Sequence, residues 1–359
     1  MAAKYPFKNL AFQGGGVKTL AYQGALKVLE EKEILPQIER VVGTSAGAFV
    51  AMLMAFRLPV DEIIAIFNTL DFSRIPTLRS AKDLNWQPPK LLESPVERLV
   101  SNWDGVQRLM HRFGWYASER GYTWLQDVIA SQCDGNGRAT FAEFRQRGFL
   151  DLHVVVTNIS TRQVEIFSVH TTPDVAVADA LLMSQSIPLF FEAVQFNGKE
   201  IGSEGHYYGD GGVLNNFPIH VFDHPQYAAH NEWYVNGINW ETLGLRLYTP
   251  HDCPGSNRPI TNLVTYMSSL LEAMVDAQDA VFEHSQADKW RTINISNCCV
   301  SLTDFSIRPH PDDERYQKLV SAGREAAETF LANYHPPTPD QLTKIKRLVG
   351  QFFPMGFLG

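Results

Sequence analysis

The chain has 359 residues, of which 45% are hydrophobic, and its formal net charge is −8 at pH 7. The apolar content is enough for a large core, while the negative charge excludes general attraction to nucleic acid or to anionic membranes. No run of 18 apolar residues could span a bilayer, and residues 1–6 lack the apolar stretch of a signal peptide. We therefore expect a cytoplasmic protein. Peripheral contact with a membrane and delivery into another cell without a cleaved leader both stay open.

The four cysteines are Cys133, Cys253, Cys298 and Cys299. Their spacing matches no common metal site, and the adjacent pair is a poor framework for disulfide bonds. We therefore predict reduced thiols, as in a cytosolic setting, and no metal site.

The first predicted strand, residues 8–12, leads into Gly14-Gly15-Gly16, after which residues 19–31 carry apolar side chains at helical spacing. The glycines therefore lie in a strand-to-helix turn, where their backbone N–H groups can point toward a ligand. Such donors suit the oxyanion of an acyl-transfer reaction.

A phosphate-binding loop is the weaker interpretation of the same glycines. The Walker pattern puts glycine directly before Lys-Ser/Thr, but here Val17 separates Gly16 from Lys18. The dinucleotide fingerprint has its last glycine where this chain has Thr19.

A second predicted strand, residues 38–42, is followed by a Gly-x-Ser-x-Gly pattern centred on Ser45 and by an apolar helix over residues 46–56. This pattern is typical of a nucleophile elbow, in which Gly43 and Gly47 leave room for a tight turn. Ser45 would stand at a helix N-terminus, where free amides and the helix dipole stabilise negative charge. The alternative is a plain Gly/Ser turn between two buried elements.

Residues 71–150 differ in character from their surroundings, because they are rich in proline and in aromatic side chains. These residues are Pro76, Pro88, Pro89, Pro95, Trp86, Trp103, Trp115, Tyr116, Tyr122 and Trp124. We interpret the segment as a cap or lid beside the serine, with a plain packed subdomain as an equal alternative.

The α/β alternation resumes after this segment. Strands are predicted at 152–157, 164–167, 243–248 and 292–295, and helices at 174–186, 263–287 and 312–331. The last residues, 336–359, carry an apolar helical stripe flanked by basic side chains. Packing of this tail on the parent domain is favoured over membrane docking.

Between these elements, Tyr208-Gly209-Asp210-Gly211-Gly212 offers a carboxylate that could accept the serine proton. Partial burial would raise the pKa of Asp210 toward values useful for a base. Taken by itself, the Asp-Gly dipeptide could also be interpreted as a hairpin turn, which is the alternative to a catalytic role.

The glycine turn, the serine pattern and the Asp-Gly-Gly turn, in this order, resemble the patatin-like phospholipase family over roughly residues 7–310. Segments 180–191 and 215–218 add to the resemblance. It implies an α/β fold, a three-layer α/β/α sandwich with a mainly parallel central sheet. We place this domain at residues 1–335, with the cap insertion at 71–150 and a separate tail at 336–359.

The resemblance also implies the chemistry. Ser45 would be the nucleophile and Asp210 the base of a dyad without histidine, and Gly14, Gly15 and Gly16 would supply oxyanion amides. Lys18 would be the basic residue of the oxyanion loop, although Thr19 stands where the family usually has glycine.

The implied activity is hydrolysis of fatty-acyl esters through an acyl-serine intermediate, of phospholipase A2, phospholipase A1 or lysophospholipase type. It needs no metal or organic cofactor. The partner would be a phospholipid or lysophospholipid at a membrane surface. An activating protein and an acyltransferase outcome stay open.

Two other functions stay under consideration. An α/β-hydrolase would pair Ser45 with an acid and a later histidine such as His251 or His284. A catalytically idle binding or scaffold protein of the same fold is the second, although the intact serine and aspartate speak against it.

Overall fold

The computed structural model describes residues 5–75, 108–227, 232–253, 260–261 and 263–337. Its main sheet has nine strands. They are β1 (Asn9–Phe12), β2 (Arg40–Thr44), β4 (Asp151–Asn158), β5 (Gln163–Ser168), β7 (Val194–Phe196), β8 (Ile201–Gly202), β9 (His206–Asp210), β12 (Thr242–Tyr248) and β13 (Thr292–Ser296). Two small two-stranded sheets pair β3 (Gly114–Tyr116) with β6 (Leu189–Phe191) and β10 (Tyr234–Val235) with β11 (Ile238–Asn239).

Helices lie on both faces of the main sheet, which confirms the predicted three-layer sandwich. They are α1 (Tyr22–Glu31), α2 (Ala46–Ala55), α3 (Val60–Asn68), α4 (Glu119–Gln132), α5 (Phe141–Gln146), α6 (Val177–Gln185), α7 (Leu263–His284), α8 (Gln286–Trp290) and α9 (Glu314–Asn333). None of these described helices combines the length and the apolar content needed to cross a bilayer.

The central strands are buried on both faces: every residue of β1, and every residue after the first in β2 and β4, is buried. The valine runs 41–42 and 154–156 supply apolar side chains to both faces, as is typical of parallel strands covered by helices. Side chains alternate between the faces, so that Val41 packs into the larger core with α1 and α2, while Val42 faces a smaller cluster. On that second face, Phe282 of α7 packs against the Phe217 ring, and the Arg246 guanidinium stacks 4.2 Å from the centre of the Phe282 ring.

The sheet is mixed rather than mainly parallel. Strands β13, β12, β1, β2 and β4 are parallel in that order, whereas β5, β7, β8 and β9 join by antiparallel pairing. The antiparallel strands include short ones joined by tight turns, which do not require a helical crossover. Of these antiparallel strands, β5 was predicted at 164–167, whereas β7, β8 and β9 have only two to five residues and give too little periodicity to be predicted.

One long strand, β4, has two neighbours on the same edge. Since β5 occupies the other edge along residues 153–158, β2 and β9 must share the remaining edge, end to end. Thr44 of β2 lies beside Val155, and Asp210 of β9 lies beside Val156. The ends of β2 and β9 therefore meet at one point of the sheet, although they are far apart in the chain.

The prediction of reduced thiols is wrong for one pair, because Cys253 and Cys299 form a disulfide with a Cα–Cα distance of 5.4 Å. β12 and β13 are parallel neighbours in which Tyr248 lies beside Ser296, so the loops that follow them leave the same sheet edge. The two cysteines come together there. Of the other cysteines, Cys133 is buried and Cys298 is half-buried, and both are free thiols.

Parts of the proposed cap and tail lie outside the described residues, namely 76–107 and 338–359. Within the rest of 71–150, α4 and α5 pack on the principal core through Ile129 and Phe144. Tyr116 of β3 contacts the Phe190 ring. The cap at 71–150 and the separate tail at 336–359 stay predictions.

Candidate active site

Ser45 lies between β2 and α2 in a strained backbone conformation, with φ +53° and ψ −130°. Such values are unusual for a residue with a side chain and are typical of a nucleophile elbow. A Cβ atom at Gly47 would lie 2.5 Å from the Gln13 carbonyl oxygen, and one at Gly43 would meet the backbone of Gly47. Both glycines are therefore required by the close approach of backbone around the turn.

The Ser45 amide is tied down by a relay of hydrogen bonds. Its N–H donates to Oγ of Ser184 on α6 at 2.9 Å, and that hydroxyl donates to the carbonyl oxygen of Val155 at 2.7 Å. These contacts connect the elbow to α6 and to the middle of β4, so they hold the strained turn in place.

Asp210 stands at the end of β9, and its carboxylate reaches Ser45. The Ser45 Oγ donates to Oδ2 of Asp210 at 2.5 Å, and the Gly212 N–H donates to Oδ1 at 2.7 Å. Only 2% of Asp210 is exposed. This burial raises the pKa of Asp210 to about 7, against the lowering effect of the two hydrogen bonds.

The glycine turn lies beside this pair, but its three amides are not equivalent. The Gly14 N–H donates to the Asn216 carbonyl oxygen at 3.0 Å. The N–H groups of Gly15 and Gly16 donate to no acceptor in the described part of the chain. The oxyanion role of Gly14, Gly15 and Gly16 stays a prediction, and within it the amides of Gly15 and Gly16 are the ones open to a ligand, because the Gly14 donor is already occupied.

The conformation of the turn explains the departure at Thr19. Gly16 has a φ of +54°, which favours glycine, and begins a 3₁₀ helix that runs to Ala21. The Thr19 hydroxyl donates to the Gly16 carbonyl oxygen at 2.8 Å and is fully buried. The Thr19 side chain thus stabilises the turn. Its backbone is part of the 3₁₀ helix, a conformation that does not require glycine.

Two residues that were not predicted, Asn216 and Gln278, join the glycine turn to the Asp210 loop. Asn216 Nδ2 donates to the Gly14 carbonyl oxygen at 3.2 Å. Gln278 of α7 accepts from the Asn216 N–H at 2.8 Å, and its Nε2 donates to the Gly212 carbonyl oxygen at 2.8 Å. Only the segment around Asn216 had been noted in the sequence, and nothing local marks Gln278.

Ser45, Asp210 and the three glycines line one cavity of about 340 Å³. Lys18 lines it as well, and burial lowers the pKa of its ammonium group, while the charges of Glu272, Asp276 and Asp279 oppose that effect. The histidines of the triad alternative are not in this lining. His251 and His284 are both exposed.

A group of potential metal ligands, Asp151, His153 and His170, lies at the other end of β4. His170 Nε2 is 2.8 Å from Oδ2 of Asp151, and His153 Nε2 is 2.7 Å from the Tyr227 hydroxyl. Burial lowers the pKa of His153 to about 4, so its ring is neutral at pH 7. These side chains already bond one another and lie far along β4 from Ser45.

Comparisons with known proteins identify relatives of the chain and a structure with the same fold. YqhO of Bacillus subtilis is 29% identical over 327 residues, which cover 90% of this chain and 97% of YqhO. A protein of Invertebrate iridescent virus 6 named as a probable lipid hydrolase, 463L, is 26% identical over 215 residues, 60% of this chain and 63% of that protein. The crystal structure of VipD from Legionella pneumophila shares the fold, with a TM-score of 0.53 at 18% identity, covering 92% of this chain and 67% of VipD.

The model of the patatin-like phospholipase family matches residues 10–223, more than half of the chain. The matched region contains the glycine turn, the serine elbow and the Asp210 turn. On these grounds the chain belongs to the patatin-like phospholipase family.

Proposed function

We propose that the protein is a lipid acyl hydrolase of phospholipase A or lysophospholipase type that uses a Ser45–Asp210 dyad. The observation that carries this proposal is the hydrogen bond from the Ser45 hydroxyl to the Asp210 carboxylate, inside a cavity that the glycine turn also lines. The name of the iridescent virus relative, a probable lipid hydrolase, supports the same class of reaction.

The reaction begins when Ser45 Oγ attacks the carbonyl carbon of an acyl ester and its proton passes to Asp210. The oxyanion accepts hydrogen bonds from the Gly15 and Gly16 amides, near the positive end of α2. Collapse of the tetrahedral species expels the lipid alkoxide, which takes the proton back from Asp210. Water then attacks the acyl-Ser45 ester and gives a proton to Asp210. As the second tetrahedral species collapses, Asp210 returns that proton to Ser45 Oγ and the fatty acid leaves.

Two properties of the site suit this sequence of steps. An aspartate with a pKa of about 7 is half ionised near neutral pH and holds a proton more strongly than an exposed carboxylate. The cavity also has an apolar side, because Ile187, Leu271 and Leu302 line it and belong to a cluster with Phe190 and Tyr116. That side suits the acyl chain of a lipid drawn from a membrane surface.

The test is release of fatty acid from a phospholipid with different labelled acyl chains at its two positions. Ser45→Ala and Asp210→Asn should each lower kcat by about a thousandfold or more, and Ser45→Ala should abolish labelling by a fluorophosphonate ester. His251→Gln and His284→Gln serve as matched controls and should retain activity. Loss of turnover in a histidine variant, with Asp210→Asn still active, would favour the α/β-hydrolase triad instead.

A further inference from the structure

The catalytic cavity has an uneven distribution of charge. Its charged lining residues in the described chain are Asp210, Lys18, Glu272 and Asp276. Asp210 is engaged with Ser45, which leaves one cation and two carboxylates to meet a substrate. A ligand that matches this lining carries one negative and one positive charge close together.

The cation stands beside the glycine turn. Among the described residues, no acceptor lies within hydrogen-bond or ion-pair distance of the Lys18 ammonium group, although Glu272 and Asp276 are close enough to influence its pKa. Lys18 is therefore available to a phosphate group next to the reacting ester.

The two carboxylates stand on successive turns of α7, on the face that lines the cavity. Glu272 accepts one hydrogen bond, from the Ser301 hydroxyl at 3.0 Å. Asp276 has no hydrogen bond or ion pair with a described residue, and it is exposed. The positions i and i+4 lie one above the other on a helix, so the two groups form one anionic surface.

We infer that this cavity selects phospholipids with a zwitterionic head group, holding the phosphate at Lys18 and the ammonium group of choline or ethanolamine at Glu272 and Asp276. The inference rests on the proposed hydrolase function and adds a head-group preference to it. A glycerol head group leaves the same phosphate in place but offers the carboxylates no cation. Phosphatidylcholine should therefore be preferred over phosphatidylglycerol.

The experiment is a competition between the two lipids with identical acyl chains, mixed at equal mole fraction in neutral detergent micelles. The initial ratio of the two lysophospholipid products gives the ratio of kcat/KM values, and it does not depend on the folded fraction of the enzyme. We expect the wild-type protein to favour phosphatidylcholine several-fold. The double variant Glu272→Gln/Asp276→Asn should lower this ratio about tenfold, because it removes both partners of the ammonium group.

The control is Glu62→Gln/Glu325→Gln, which removes the same two charges from exposed positions on α3 and α9. It should keep the wild-type ratio. An equal rate for the two lipids, or a ratio that the double variant leaves unchanged, would overturn the head-group inference alone if hydrolysis still requires Ser45. Absence of hydrolysis of both lipids would overturn this inference and the proposed function together.

Discussion

The hydroxyl of Ser45 donates a 2.5 Å hydrogen bond to the carboxylate of Asp210, which lies 165 residues further along the chain. Ser45 directly follows β2, whose last residue lies beside Val155 of β4, and Asp210 is the last residue of β9 and lies beside Val156. Both strands pair with the same edge of β4. The backbone pairing of the sheet is therefore sufficient to bring the two residues close together.

The activity should depend on the ionisation of Asp210. Only the carboxylate accepts the serine proton, so kcat/KM for a neutral soluble ester should rise through about pH 7 and level off above it. The measurement is a pH profile at two temperatures. The ionisation of a carboxylic acid is nearly independent of temperature, so the midpoint should stay constant. A midpoint that falls clearly on warming would indicate a histidine base.

The same carboxylate should reduce stability. The pKa of Asp210 is raised from 3.8 to about 7 in the folded state, so the folded protein binds the proton more tightly than the unfolded chain. The free energy of unfolding therefore falls as the pH rises from about 4 to about 7. Asp210→Asn should therefore be more stable than wild type at pH 8, by up to about 4 kcal/mol, and the gain should shrink toward pH 5. Denaturant unfolding measures this, with the exposed Asp127→Asn as the control. A gain independent of pH would contradict the prediction.

The elbow should not tolerate a side chain at Gly47. Its Cβ would lie 2.5 Å from the Gln13 carbonyl oxygen and 2.6 Å from that of Phe12. Gly47→Ala should lower the free energy of unfolding by about 1–3 kcal/mol. Because Ser45 would be displaced, kcat should fall about a hundredfold. Gly202→Ala is the matched control, since nothing lies within 4 Å of its added Cβ and it should behave as wild type.

Gln278 is predicted to be a positioning residue. In Gln278→Glu the donor to the Gly212 carbonyl is replaced by an anionic oxygen. The new charge near Asp210 should raise its pKa, so the pH profile should move upward by up to about one unit and kcat should fall. The exposed Gln286→Glu on α8 should leave the profile in place. A lower kcat with an unmoved midpoint would assign Gln278 a merely structural role.

The disulfide between Cys253 and Cys299 should contribute to stability. It closes a loop with a sequence separation of 46 residues, which corresponds to about 4 kcal/mol in the chain-entropy model. A reductant should lower the unfolding midpoint of the wild-type protein but not that of Cys253→Ser/Cys299→Ser. Titration of unfolded protein should find two thiols before reduction and four after it. Four at the outset would contradict the pairing.

The predictable part of the site consisted of segments in which one short stretch of sequence determines the local geometry. The glycine turn follows a strand and precedes a helical turn, and Ser45 stands in the turn between β2 and α2. In both cases the pattern of glycine and branched residues is sufficient. The proposed role of Asp210 depends on the family resemblance, because an Asp-Gly dipeptide by itself is more typical of a hairpin.

The unpredicted part depends on contacts between distant segments. Ser184 and Gln278 support the site through hydrogen bonds that only the folded sheet and α7 bring about. The occupied Gly14 amide depends on the carbonyl of Asn216 in the same way. The Cys253–Cys299 pair follows from the register of β12 and β13, which no local pattern encodes.

The end-to-end arrangement of β2 and β9 along β4 has a consequence for how such a protein can evolve. The distance between the two reacting groups is set by the backbone pairing of the sheet, so substitutions on the outer helices, apart from those at Ser184 and Gln278, can accumulate without changing it. An insertion or deletion of one residue at Val155 or Val156 has the opposite effect, since it shifts the ladder and reverses every following side chain. We therefore expect homologues to differ widely in sequence but to keep the length of β4 unchanged.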